Sequence, residues 1–122
     1  MGQKISGGKY APTRGTTPRV GTVADSAAPT PDADAQDMYT VTALAQTATF
    51  GAPTGAPVNG QYLLIRIKDN GTARTLAWNA IYNTGVSMPL PLTTQLGKYL
   101  YCGFIYNSQN SKWDFVSLID NI

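Results

Sequence analysis

Apolar and polar positions alternate most regularly from residue 61, where the chain reads Gln-Tyr-Leu-Leu-Ile-Arg-Ile-Lys-Asp, then Asn70-Gly71, then Thr-Ala-Arg-Thr-Leu-Ala-Trp. A period of two sends successive side chains to opposite faces of a strand, and Asn-Gly between two such runs signals a hairpin because both residues tolerate positive φ. The pattern predicts a hairpin over 61–78 in which Asp69 faces Thr72, Ile65 faces Leu76 and Leu63 faces Trp78. One face then carries Leu63, Ile65, Ile67, Leu76 and Trp78, and the other Leu64, Arg66, Lys68, Ala73, Thr75 and Ala77. Asp69, Thr72 and Arg74 share the apolar side near the tip. A slip of one residue would expose Trp78 and bury charge, so the register is well specified.

Elsewhere the pattern is shorter in range. Tyr39 and Val41 alternate with threonines as in a strand, residues 47–50 suggest a second, and 43–48 fit a helical turn equally well. Residues 51–60 are a Gly- and Pro-rich loop, 79–86 continue the strand pattern up to a turn at 83–85, and Pro89 and Pro91 mark 88–92 as irregular or edge structure. Residues 98–106 form a run that is apolar on both faces, as in a central strand with one face in the core and the other covered, for instance by a subunit. After a turn at 107–111, residues 113–119 return as its partner. No stretch holds a helical period over ten or more residues. The expected fold is all-β, a small antiparallel sandwich or barrel over 38–122, with Leu63, Ile65, Ile67, Trp78 and Phe104 in its core.

Residues 1–37 break from this pattern. Gly, Pro, Thr, Ser, Ala and Asp dominate, Tyr10 is the one aromatic, and Pro12, Pro18, Pro29 and Pro31 oppose long helices and interrupt sheets. Such a segment buries too little apolar surface to offset its chain entropy, so it is expected as an extended arm ordered only when something holds it, namely another chain. Held straight, it reaches about 120 Å. Its charges are segregated, with Lys4, Lys9, Arg14 and Arg19 ahead of Asp25, Asp32, Asp34 and Asp37. The anchoring residues expected on this arm are Lys4, Lys9, Tyr10, Arg14 and Arg19. Two short motifs here carry little. Residues 1–6 fit an N-acylation pattern of few positions. Residues 32–37 begin like a calcium-binding loop but have Asp37 where that loop needs Gly and Ala43 where it needs Glu.

Composition narrows the chemistry. At 122 residues the chain suits one domain with a core. Charged residues make up 13%, against about 25% in an average domain, and a neutral surface rich in Thr, Asn, Gly and Tyr suits contact with other protein. A formal charge of +2 is too small to argue for nucleic acid or acidic lipid. The sequence has no histidine and no glutamate, which removes the commonest general base and the usual zinc ligand. The folded part offers Asp69, Asp114 and Asp120 as acids, and turn, strand and terminus account for all three, so no enzyme, metal site or cofactor is expected. Cys102, alone in an apolar run, reads as a small buried hydrophobe. No apolar run approaches the roughly 18 residues of a membrane-spanning helix, and no secretory leader pattern is present. The run 101–106 shares aromatic positions with an RNA-binding strand but lacks its leading basic residue, first Gly and final aromatic. Arg66 and Lys68 fit the solvent face of a sheet better than a phosphate track. No nucleic-acid or membrane partner is expected.

The residues Thr42-Ala-Leu-Ala, Ala48-Thr-Phe50, Ala52-Pro-Thr-Gly-Ala-Pro57, Gly60-Gln61, Leu64-Ile-Arg-Ile-Lys-Asp-Asn-Gly-Thr-Ala-Arg74, Leu76, Trp78-Asn-Ala-Ile-Tyr82, Ile105-Tyr-Asn107 and Lys112-Trp-Asp114 resemble a module of tailed-bacteriophage virion proteins. That module occurs in head decoration and head-fibre proteins and in terminal domains of tail-fibre-like proteins. The resemblance spans about residues 39–118, and its most specific part is 65–74 with Trp78-Asn79. It implies a non-enzymatic β-rich domain, commonly trimeric, displayed on a virus particle. It transfers no catalytic residue.

Joined to the residue reading, this gives two expectations. The first is a capsid decoration or head-fibre protein on the virion surface, whose arm straps onto the major capsid protein or another virion protein. Its β-domain then forms a homotrimer through Tyr99, Tyr101 and Ile105. The second is a receptor- or glycan-binding fibre tip, which would hold sugars on exposed Tyr82, Tyr106 and Trp113.

Overall fold

A computed structural model describes residues 17–122. Eight strands carry the fold: β1 (Val20–Val23), β2 (Met38–Leu44), β3 (Ala48–Phe50), β4 (Tyr62–Asp69), β5 (Leu76–Trp78), β6 (Tyr82–Asn83), β7 (Leu100–Asn107) and β8 (Lys112–Ile119). They form one six-stranded sheet in the order β1-β2-β4-β7-β8-β6 and a two-stranded sheet of β3 and β5. The protein is all-β, and its pairing is mixed rather than purely antiparallel. β1–β2, β2–β4, β3–β5 and β6–β8 are parallel, while β4–β7 and β7–β8 are antiparallel. The expected strand-turn-strand unit over 98–119 is present as β7–β8. Residues 43–48 contain no helical turn, since β2 runs to Leu44 and β3 begins at Ala48.

The hairpin expected over 61–78 does not form. Both edges of β4 are occupied, by β2 on one side and β7 on the other, so β5 has no edge there to join and pairs with β3 instead. Leu63 faces Phe104 and Ile65 faces Cys102, in place of Trp78 and Leu76. At the expected turn, Gly71 alone has positive φ, at 103°, whereas a type I′ turn needs two such residues. The alternation nevertheless set the faces correctly. Leu63, Ile65, Ile67 and Leu76 are buried, and half-buried Trp78 packs against them.

The core lies between the inner face of the large sheet and the small sheet. Trp78 stacks on Phe50 with ring centroids 4.6 Å apart, meets Tyr82 edge-on at 5.3 Å, and lies 5.9 Å from Phe104. Its indole N–H donates to the Pro91 carbonyl at 2.7 Å, which pins the proline-rich segment over the core. Phe104 and Cys102 come from β7, Trp113 and Phe115 from β8, and Val41 and Tyr39 from β2. Each large side chain fully buried this way contributes about 1.5–3 kcal/mol.

From residue 17 the segment expected as an arm is part of this unit and is held by contacts with the chain's own domain. β1 extends the sheet as an edge strand beside β2. The Arg19 guanidinium grips Asp37 through Nη2 at 2.8 Å and Nε at 3.3 Å, and Nη1 donates to the Asp34 carbonyl at 2.7 Å. That grip holds the Asp37 carboxyl below its ordinary value, the side-chain hydrogen bonds from Arg19 outweighing burial. Pro29 and Ala33 are fully buried. Buried Gln61 donates from Nε2 to the Ala33 carbonyl at 2.7 Å and accepts the Val58 N–H on its other amide atom at 3.0 Å. Asp34 accepts the Ala56 N–H at 3.0 Å and Asp32 the Asp34 N–H at 3.0 Å, so these carboxylates close turns. The physical reason for the difference is polar. This stretch folds by side-chain clamps and backbone bonds, and apolar content alone does not report them.

Candidate functional site

Among the described residues, the outer face of the six-stranded sheet is left partly open to water. On β4 the outward residues are Tyr62, Leu64, Arg66 and Lys68, alternating with the buried set. On β7 they are Tyr101, Gly103 and Ile105, because Leu100, Cys102 and Phe104 point into the core. The register then builds three rows across the sheet. Arg66 faces Tyr101, which faces Ile119; Leu64 faces Gly103, which faces Ser117; Tyr62 faces Ile105, which faces Asp114. A bulge between the second and third rows leaves Val116 unpaired and 45% exposed.

Gly103 shapes the centre of this face. A Cβ there would lie 2.2 Å from both the Tyr62 hydroxyl and Ser117 Oγ, which stand 3.3 Å apart and share a hydrogen bond above it. The Tyr62 ring can therefore lie across the sheet. Beside it opens a shallow hollow of about 400 Å³ lined by Tyr62, Leu64, Tyr101, Ser117, Ile119 and Ile122. One end of the face is cationic. Lys68 Nζ sits 4.8 Å from the Tyr99 ring centroid, and the Arg66 guanidinium lies 5.8 and 5.9 Å from Tyr99 and Tyr101. Arg66 Nε also donates to Thr40 Oγ1 at 3.2 Å. The opposite end carries Asp114, which accepts from Asn83 Nδ2 at 3.0 Å and Asn107 Nδ2 at 3.2 Å.

The three residues expected at a subunit interface fall together here. Tyr99 and Tyr101 are neighbours with rings 6.5 Å apart, and Ile105 lies further along the same strand face. Tyr99 precedes β7 and exchanges backbone hydrogen bonds with Ile122. Tyr62, Leu64, Ile119 and Ile122 complete the surface. Alternation in β4 placed Tyr62 and Leu64 opposite the core, but their meeting with Ile119 depends on a register that the sequence does not display. Among the expected anchoring residues, Lys4, Lys9, Tyr10 and Arg14 lie outside the described residues, and Arg19 is engaged within the domain with Asp37.

The expected sugar platforms do not stand on this surface. Tyr82 and Trp113 are buried, and the Tyr82 hydroxyl donates to the Gly51 carbonyl at 2.8 Å. Half-buried Tyr106 meets Trp113 edge-on at 5.2 Å. Cys102 is fully buried, and that burial pushes its thiol up to about 12, so it stays protonated.

No protein-family model matches the chain, and no curated protein matches it. Among solved structures it is similar to one described as the structure of a chaperone-substrate complex, at 15% identity and a TM-score of 0.45 over 81% of this chain. The chain spans 17% of that chain's length. A likeness at this level leaves function to the surface's own chemistry.

Proposed function

We propose that this chain is a non-enzymatic structural protein of a tailed-phage virion, a capsid decoration or head-fibre subunit that assembles as a homotrimer on the particle surface. The resemblance over 39–118 supplies the class. The observation that carries the reading is the outer face, where Tyr62, Tyr99, Tyr101, Ile105 and Ile119 stay accessible beside a cationic edge. Buried aromatics dominate the energy of protein interfaces, and these tyrosines are held in place by neighbours before any partner arrives. Anchoring to capsid or another virion protein is assigned to residues 2–16, since Arg19 and the residues after it serve the domain. The fibre-tip alternative loses two of its three platforms to the core, which favours the cementing role.

The test compares the full chain with one lacking residues 2–16, by sedimentation and by co-pelleting with empty heads. The expected result is a trimer in both forms and head binding by the full chain alone. Head binding by the shortened chain overturns the anchor, and a full chain that stays monomeric at every concentration overturns the assembly.

A further inference from the structure

The exposed tip after β4 holds a constellation that the proposed function leaves unused. The Gly71 N–H donates to Asp69 Oδ1 at 3.0 Å, and Arg74 Nη2 donates to Asn70 Oδ1 at 3.0 Å. Asp69 is fixed in turn by Thr94 Oγ1 at 2.7 Å and the Gly97 N–H at 3.0 Å. Burial pushes the Asp69 carboxyl up, but these donors and the nearby Arg74 outweigh it and keep the group ionised at neutral pH. Arg74 is positioned by its own N–H, which donates to Thr94 Oγ1 at 2.8 Å. Its Nε is, among the described residues, the buried side-chain nitrogen or oxygen left without a hydrogen-bond partner.

We propose that Asn70-Gly71 is a built site of spontaneous succinimide formation, in which Asp69 draws on the attacking N–H and Arg74 polarises the amide it attacks. Gly71 N bonds to Asn70 Cγ while its proton passes to the Asp69 carboxylate. The bond from Cγ to Nδ2 breaks, and ammonia leaves with that proton. Water then opens the ring at either carbonyl, giving aspartate or isoaspartate, so the net change is one water consumed and one ammonia released. Positioned proton transfer and a fixed cation on the reacting carbonyl are the ordinary means of lowering such a barrier. Gly71 adds the last condition, since no side chain shields its nitrogen and the space where a Cβ would stand is empty. The product also suits its surroundings. An amide gives Arg74 one acceptor oxygen, whereas a carboxylate at this position offers a second to the fork of Nη2 and Nε.

The chain contains its own control in Asn59-Gly60. There the Gly60 N–H is tied to the Tyr106 carbonyl at 2.9 Å, and Asn59 Oδ1 accepts the Ser108 backbone N–H at 3.0 Å. Among the described residues, no carboxylate or guanidinium bonds to that pair.

The experiment incubates the full chain in water enriched in heavy oxygen and follows both peptides by mass spectrometry, with the same chain in urea as reference. The expected result is conversion and oxygen uptake at Asn70 roughly tenfold faster than at Asn59 in the folded protein, with the ratio collapsing in urea. Arg74→Gln, with its fold checked by circular dichroism, is expected to remove most of that difference. Equal rates at the two sites in the folded chain, or a ratio unchanged by urea, overturn the proposal.

Discussion

The two faces of the large sheet are built from the same strands and end in opposite conditions. Toward the core, Leu63, Ile65, Phe104 and Trp113 meet the small sheet and are shut off from water. Away from it, Tyr62, Tyr101, Ile105 and Ile119 are comparably apolar, but no layer among the described residues covers them. A soluble sheet usually alternates apolar inside with polar outside. Here polar atoms on the outer face serve mainly to hold aromatics in position, as Ser117 does for Tyr62 and Lys68 for Tyr99. Folding of the described residues thus buries the inner face and leaves apolar side chains of the outer one in contact with water, which is the basis of the proposed assembly.

Mutations separate the two faces most sharply. Phe104→Ala removes a fully buried ring that touches Trp78, Tyr82 and Phe115, and is expected to cost about 3–5 kcal/mol in urea unfolding. Next in size is Asp69→Ala, which takes the acceptor away from the Thr94 hydroxyl proton and the Gly71 and Gly97 N–H groups. It should cost roughly 1–3 kcal/mol and loosen the loop at 94–97, read by hydrogen exchange. Arg19→Ala releases β1 from its clamp. Because both partners are about a third exposed, at 31% each, the expected loss is about 1 kcal/mol. On the outer face, Tyr101→Lys should change monomer stability by less than about 0.5 kcal/mol yet abolish the proposed trimer, with sedimentation as the readout. If Tyr101→Lys unfolds the monomer instead, the contrast between the faces fails.

Acid sharpens the same contrast through Asp37. Its folded value lies below the ordinary 3.8, so the stability it supplies is complete above that value and disappears as pH falls through the depressed one. The native chain and Arg19→Ala should therefore differ at neutral pH and converge in acid. A gap that persists once the carboxyl is protonated would assign the effect to packing of the Arg19 stem. The smallest effect belongs to Asn70→Asp, which should raise the unfolding midpoint slightly by giving Arg74 Nε an acceptor.

Alternation in β4 is legible because one face of that strand is buried, and burial is what writes a period of two into a sequence. Partners were not legible. Asn70-Gly71 sits where a hairpin turn belongs, but β2 and β7 already hold both edges of β4, and parallel pairing over long connections leaves no local signature. The segment 17–37 departs from the expected extended form for the opposite reason, since its order rests on Arg19 with Asp37 and Gln61 with Ala33. No periodic pattern reports a clamp between residues far apart in sequence. At the candidate surface, Tyr99, Tyr101 and Ile105 could be found from a run apolar on both sides. Ile119 and Ile122 reach that surface only through the β7–β8 register and the backbone bonds of Tyr99.

The Arg19–Asp37 grip would have a mechanical consequence if the proposed anchoring by residues 2–16 holds. A pull on Arg19 would meet the guanidinium fork before the four residues of β1. While the fork holds, the pull would be shared with the start of β2 beside it. Once it breaks, β1, an edge strand paired with β2 alone, would be the first strand to give.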